Sequence, residues 1–126
     1  MTRLAHTRIV TKNVPRLARF YEQITGTPAV GSEEYVQFRE LGNGLAICSE
    51  RAMTLHGGGA ATGASNQSIV LDFEVGDVDA ERERLAEVIG APVSEPTTQP
   101  WGNRAMMFRD PDGNLVNFFT VARGRK

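Results

Sequence analysis

The stretch from Phe108 to Phe119, FRDPDGNLVNFF, carries the clearest fold signal in the chain. Its centre, Asp110-Pro111-Asp112-Gly113, is a strong turn sequence, because proline fixes φ, glycine accepts positive φ and aspartate bonds its own backbone. Apolar residues flank this turn at 106–108 and 115–121. The stretch therefore predicts a β-hairpin whose second strand is largely buried.

The hairpin belongs to an internal repeat. FRELGNGL, which ends at Leu45, resembles FRDPDGNL, which ends at Leu115. Residues 13–26, NVPRLARFYEQITG, align without a gap with residues 77–90, DVDAERERLAEVIG. Both segments have apolar residues at helical spacing, begin with an Asx residue suited to an N-cap and end with a glycine suited to a helix C-terminus. The sequence therefore predicts the same helix twice, with Pro15 at the first helical position.

Extended segments surround both helices, so each half reads βαβββ and the fold class is α+β. The predicted domain is single and has module one at 1–50, a Gly-rich linker at 51–66, module two at 67–122 and a basic tail at 123–126. Three of the four strands in each half are located in the sequence: Leu4–Thr11, Tyr35–Leu41 and Leu45–Ser49 in the first, and Ser68–Val75, Arg104–Arg109 and Leu115–Val121 in the second.

Composition and charge narrow the class of partner. The 126 residues carry a formal net charge of −1, so no global field favours nucleic acid or an anionic membrane. No apolar run approaches the ~18 residues of a membrane span, and charges near the N-terminus interrupt any signal-peptide core. The single cysteine, Cys48, excludes an internal disulfide. We expect a cytoplasmic protein that binds neither nucleic acid nor membrane.

The DPDGN turn with its apolar strand, together with the paired NV and DV helix starts, resembles the vicinal oxygen chelate superfamily. That superfamily contains glyoxalase I, extradiol dioxygenases, fosfomycin-resistance enzymes and bleomycin-resistance proteins. The resemblance covers nearly the whole chain. It implies that two βαβββ modules join their sheets into a cup with the helices on the outer face, and that the chain forms a homodimer.

The resemblance also implies where a metal would bind. In the superfamily's metal enzymes, four cup positions supply histidine or glutamine, glutamate, histidine and glutamate. The matching positions here are His6, then Ala46 or Cys48, then Val70, then Asn117. Of these His6 is the one competent ligand type, since valine and alanine cannot bind a metal and an amide replaces a carboxylate poorly. We therefore expect no metal, no other cofactor and no catalytic residue.

Strand alternation indicates which side chains face the cup. It assigns Ile9 and Thr11 to the helix side, and it assigns His6 and Arg8 to the cup. Arg8 and the equivalent Asp72 are predicted to pair across the two modules.

A second signature is Gln99-Pro100-Trp101-Gly102-Asn103-Arg104, which resembles the corresponding stretch of the bleomycin-resistance branch, whose members bind a drug without a catalytic metal. Trp101, the single tryptophan, either stacks on a planar ligand or fills the core beneath its loop. Phe119, Met106 and Tyr35 are candidates for apolar walls of the cup. The predicted ligand-binding residues are His6, Arg8, Asp72, Trp101, Asn117 and Phe119.

Three functions remain open. The first is a metal-independent protein that binds an apolar or planar small molecule in the cup, with drug sequestration as a candidate role. The second is a metal-dependent lyase or dioxygenase with an atypical ligand set. The third is a structural or regulatory domain with a vestigial cup.

Overall fold

The computed structural model describes residues 1–42, 44–56 and 59–122, which divide into two compact units, 1–65 and 66–126. We call them module one and module two. The predicted basic tail at 123–126 lies outside the described residues. The strands are β1 Thr7–Thr11, β2 Val30–Gly31, β3 Tyr35–Gln37, β4 Leu45–Ser49, β5 Val70–Glu74, β6 Ser94–Thr98, β7 Arg104–Arg109 and β8 Leu115–Thr120. The α-helices are α1 Val14–Thr25, α2 Val78–Arg84 and α3 Ala86–Ile89.

The two modules have the same sheet topology, as the repeat predicts. Their strand orders are β1-β4-β3-β2 and β5-β8-β7-β6. In each module the first strand pairs in parallel with the last, and the remaining pairs are antiparallel. The α+β fold with two tandem βαβββ modules is confirmed. The joining of the two sheets into one cup stays a prediction.

The turn between β7 and β8 is built on Asp110, which is only 4% exposed. Its Oδ1 accepts hydrogen bonds from the backbone N–H groups of Asp112 at 2.8 Å and Asn114 at 2.9 Å. Its Oδ2 accepts a third bond from the Asn114 side chain at 2.8 Å. Gly113 takes φ 84°, which a side chain would disfavour. The DPDGN sequence thus closes the hairpin through local bonds to one buried carboxylate.

Helix α1 packs its apolar stripe onto the module-one sheet and is capped at both ends. Asn13 Oδ1 accepts from the Arg16 N–H at 3.1 Å, and Gly26 ends the helix at φ 71°. Val14 opens the helix, so Pro15 occupies the second helical position rather than the predicted first one. Proline is tolerated there for the same reason, because N–H groups of the first turn have no partner within the helix.

The second predicted helix is interrupted, which the sequence pattern did not indicate. Asp77 caps α2 through a 3.1 Å bond to the Ala80 N–H, but the chain leaves helical geometry at Leu85, with φ −102° and ψ 11°. Leu85 is 1% exposed, and its carbonyl still accepts from the Ile89 N–H at 3.0 Å. The helical segment is therefore interrupted at Leu85, whose side chain is buried in the core.

Each module has its own aromatic core. In module one Tyr21 and Phe38 are fully buried, with ring centroids 6.4 Å apart. In module two Phe118 lies edge-on to Phe108 at 5.2 Å and to Phe73 at 5.8 Å. In module two the strand residues that alternate with these rings face the other side of the sheet.

The predicted linker at 51–66 has local structure. Its first part, Arg51–His56, is a 3-10 helix. Further along, the Gly63 N–H donates to Glu50 Oε2 at 2.7 Å, and a Cβ on Gly63 would meet the Thr11 backbone at 3.0 Å. Gly63 therefore packs against Thr11 and Glu50; residues 57 and 58 of the predicted linker lie outside the described residues.

Candidate functional site

Module two contains a depression of about 600 Å³ on the sheet face opposite its aromatic core. All four strands of the module and the loop after β6 contribute to its lining. We call it the module-two pocket. The side chains that matter for its chemistry are Asp72, Gln99, Trp101, Met107, Asn117 and Phe119.

Strand β8 divides its side chains between core and pocket. Val116 is fully buried and Phe118 is 1% exposed, both on the core side. Asn117 and Phe119 alternate with them and line the pocket. On β7, Met107 pairs with Asn117 and Ala105 with Phe119, so these residues share the pocket face.

Met107 is a pocket residue that sequence reasoning missed. The candidate wall was Met106, which is fully buried and pairs with Phe118 on the core side. The error is a register error of one residue, which moves a side chain to the other face of the sheet. The signal was available, because alternation along Arg104–Arg109 places Met107 opposite Asn117 once the hairpin register is known.

The polar part of the pocket wall is a pair of side chains on neighbouring strands. Asp72 on β5 pairs in register with Asn117 on β8, and Asn117 Nδ2 donates to Asp72 Oδ1 at 3.0 Å. This bond orients the amide, since a carboxylate can only accept from the NH₂ group. Asn117 Oδ1 is then buried without a hydrogen-bond partner among the described residues. Such an acceptor costs about 1–3 kcal/mol of desolvation when no donor meets it.

Trp101 lies on the 99–103 loop at the pocket and is 61% exposed. This exposure contradicts the alternative in which the ring fills the core beneath the loop. The loop is closed by bonds from the Gln99 N–H to the Asn103 carbonyl at 2.7 Å and from the Gly102 N–H to the Gln99 carbonyl at 2.9 Å. Gly102 takes φ 106°, so the PWGN sequence supplies the residue that this turn requires.

An ion pair fixes the base of that loop. Arg104 donates to both carboxylate oxygens of Asp79 in α2, at 2.7 and 3.0 Å. The Arg104 guanidinium hydrogen-bonds this carboxyl and lowers the pKa of Asp79. Because the fork-shaped contact restricts both side chains, it ties the loop bearing Trp101 to the helix.

The corresponding face of module one has different chemistry. Cross-strand register places Tyr35 and Gln37 of β3 on the same face as Ala46 and Cys48 of β4. The Tyr35 hydroxyl accepts from Gln37 Nε2 at 3.1 Å and lies 3.5 Å from His6 Nε2. His6 therefore has a hydrogen-bonding neighbour in its own module.

Cys48 is fully buried, as free cysteines in protein cores commonly are. Burial raises the pKa of the Cys48 thiol, and the positive charge of Arg8 opposes that shift without cancelling it. A protonated, inaccessible thiol is a poor nucleophile and a poor metal ligand.

The residues at the superfamily's metal positions do not fit a metal ion. Val70 and Ala46 carry no donor atom, and the Asn117 amide is neutral and already oriented toward Asp72. Among residues 1–42, 44–56 and 59–122, no three His, Cys, Asp or Glu side chains are grouped as a metal site would require.

Four of the six predicted ligand-binding residues, Asp72, Trp101, Asn117 and Phe119, line the module-two pocket. The other two, His6 and Arg8, belong to module one. Their contribution to ligand binding, and the predicted pair between Arg8 and Asp72, stay predictions.

Comparison with known proteins identifies the family. The family model described as Glyoxalase/Bleomycin resistance protein/Dioxygenase superfamily matches residues 3–118. The chain therefore belongs to this superfamily, the vicinal oxygen chelate superfamily, as the DPDGN turn and the repeat indicated. The finer expectation, the metal-free bleomycin-resistance branch, does not follow from this match. No curated protein matches the chain significantly.

Solved structures share the fold at low sequence identity. A glyoxalase/bleomycin resistance protein/dioxygenase family enzyme from Burkholderia phytofirmans has a TM-score of 0.82 at 18% identity, over 95% of this chain and 99% of that chain. A glyoxalase-related enzyme from Fulvimarina pelagi has a TM-score of 0.79 at 22% identity, over 95% and 88%. The fosfomycin resistance protein FosX from Mesorhizobium loti has a TM-score of 0.68 at 18% identity, over 98% and 95%. At these identities the likeness establishes the fold alone.

No helix in the described part of the chain is long and apolar enough to span a membrane.

Proposed function

We propose that this protein binds an apolar or planar small molecule in the module-two pocket without the help of a metal. The observation that carries the proposal is Trp101, a large ring left 61% exposed at a pocket that is also lined by Met107 and Phe119. Exposed apolar surface of this kind in a concave site is typical of ligand binding. The residues at the superfamily's metal positions offer few atoms that could bind a metal ion. This supports ligand binding without a metal.

Asn117 supplies the polar element of this site. A ligand N–H or O–H group that reaches Asn117 Oδ1 satisfies an acceptor that has no donor among the described residues. The atom is shielded from solvent, so such contact requires neighbouring side chains to shift when the ligand binds. One satisfied polar contact among apolar walls orients a ligand, which is how small-molecule pockets combine affinity with specificity.

Calorimetric titration with naphthamide, a neutral planar probe, tests the proposal. We expect saturable binding, and we expect Trp101→Ala to weaken it with little loss in the free energy of unfolding. The matched variant Asn117→Leu removes the buried acceptor while keeping side-chain size. We expect it to weaken binding too and to leave unfolding stability unchanged or higher. If neither naphthamide nor a charged analogue of the same planar shape binds the folded wild-type protein, the proposal is wrong.

Drug sequestration is the candidate role, and homodimerisation is part of the proposal. Both are supported by family membership rather than by a contact in the structure. Titration with metal-free bleomycin tests the first, and light scattering of the purified chain tests the second.

A further inference from the structure

The charges around the module-two pocket carry information about its ligand. Among the lining residues Asp72 is the one charged side chain, and no lysine or arginine is present. The carboxylate is exposed, and its hydrogen-bond partner among the described residues of module two is the uncharged amide of Asn117. Among the described residues of module two, up to 122, no cationic side chain therefore pairs with this negative charge on the pocket wall.

The basic residues next to the pocket are engaged elsewhere. Arg104 pairs with Thr120 on the sheet face opposite the pocket, where its guanidinium binds Asp79. Arg109 shares the pocket face by its register with Leu115, but its Nη1 donates to the Gly113 carbonyl at 3.0 Å in the β7–β8 turn. Neither contact places a cation beside Asp72.

The other groups at the pocket favour the same kind of ligand. Asn117 Oδ1 is an acceptor that lacks a donor among the described residues of the chain. The Trp101 side chain is 61% exposed at the pocket, and indole is the best of the aromatic surfaces for a cation. The best ligand for these groups is flat, positively charged and rich in N–H donors. The positive charge matches the Asp72 carboxylate, the flat shape matches the Trp101 indole, and an N–H donor matches the Asn117 acceptor.

We infer that the ligand of this pocket is a planar cation with N–H donors, of the amidinium or protonated amino-heterocycle class. This inference rests on the proposed function and specifies the ligand for the same site. The ring of such a ligand stacks on Trp101, its N–H groups donate to Asp72, and a further donor meets Asn117 Oδ1.

Three probes of nearly equal shape test the ligand class: naphthamidine, naphthamide and naphthoate, which carry charges of about +1, 0 and −1 at neutral pH. Calorimetry on the full chain should rank their affinities in that order, with naphthamidine at least about tenfold tighter than naphthamide. Asp72→Asn keeps the size of the side chain and should bring the two affinities together. The control Glu87→Gln removes an equal charge from the exposed surface of α3 and should leave the ranking unchanged.

The outcomes separate this inference from the proposed function. If naphthamide binds as tightly as naphthamidine, the ligand class is wrong while planar-ligand binding stands. That result would follow if Arg8 already neutralised Asp72. A preference for the cation that survives in Asp72→Asn would also overturn the assignment. If no probe binds the folded protein, the proposed function fails together with the inference.

Discussion

Modules one and two have the same strand order but present different surfaces. In module one, β2 has two residues, and the face built from β3 and β4 carries the fully buried Ala46 and Cys48. In module two, β6 has five residues and leads into the loop that carries the 61% exposed Trp101. The longer β6–β7 connection supplies a pocket wall that module one lacks. The two modules thus share a backbone topology but differ in the wall that the β6–β7 connection adds to module two.

The largest expected effect tests the division of β8 between core and pocket. Phe118 is 1% exposed and contacts two aromatic rings, so Phe118→Ala should lower the free energy of unfolding by about 3–5 kcal/mol. Phe119→Ala changes the neighbouring residue, which lines the pocket, and should cost clearly less stability while weakening ligand binding. Urea unfolding of both variants measures the difference. Equal losses of stability would mean that the assignment of faces is wrong.

The next effect concerns the unequal roles of the modules in binding. Trp101→Ala should reduce the affinity for naphthamide by about tenfold, since it removes the large, 61% exposed ring at the pocket. His6→Ala, in module one, should reduce it less, because His6 has a neighbour in the Tyr35 hydroxyl 3.5 Å away. Calorimetry provides both values. A greater loss from His6→Ala would place the main binding determinant in module one.

The reactivity of Cys48 tests whether the β3–β4 face of module one, which carries Ala46 and Cys48, is closed to solvent. Because burial raises the pKa of Cys48 and shields its sulfur, we expect the native thiol to react with an aromatic disulfide reagent at least about tenfold more slowly than the urea-unfolded chain. Absorbance of the released thiolate follows the reaction. Similar rates in the two states would show that this face is open.

The smallest effect concerns surface ion pairs, which both modules contain. The partner arginines lower the pKa of Glu34 in module one and of Asp79 in module two. Each ion pair stabilises the fold above about pH 4, which is the ordinary pKa of a carboxyl group in the unfolded chain. This stabilisation is lost as the pH falls through the lower pKa that the carboxyl has in the folded protein. Asp79→Asn should therefore make the thermal midpoint slightly less sensitive to acid, whereas Glu87→Gln should not. These pairs are exposed, so a large shift would contradict this interpretation.

Local sequence patterns predicted much of this fold. The Asp110 turn and the two Asx N-caps depend on bonds within a few residues, so the sequence indicates them directly. The break at Leu85 and the packing of Gly63 against Thr11 depend on tertiary contacts, which no local pattern encodes.

The sequence also predicted part of the candidate site. Alternation in β8 placed Asn117 and Phe119 on the pocket face, and the Pro/Gly turn singled out Trp101. The unmet Asn117 acceptor was not predictable, because it depends on the bond to Asp72 across two strands. Met107 was missed because the wall was assigned without the hairpin register.

The central claim is that module two binds a planar molecule without a metal. Its most direct test is calorimetric titration of metal-stripped protein with naphthamide, before and after addition of Zn²⁺, Ni²⁺, Mn²⁺ or Fe²⁺. We predict one saturable site per chain with the same affinity in every sample. Binding that appears only after one of these metals is added would contradict the claim and would support a metal-dependent lyase or dioxygenase instead.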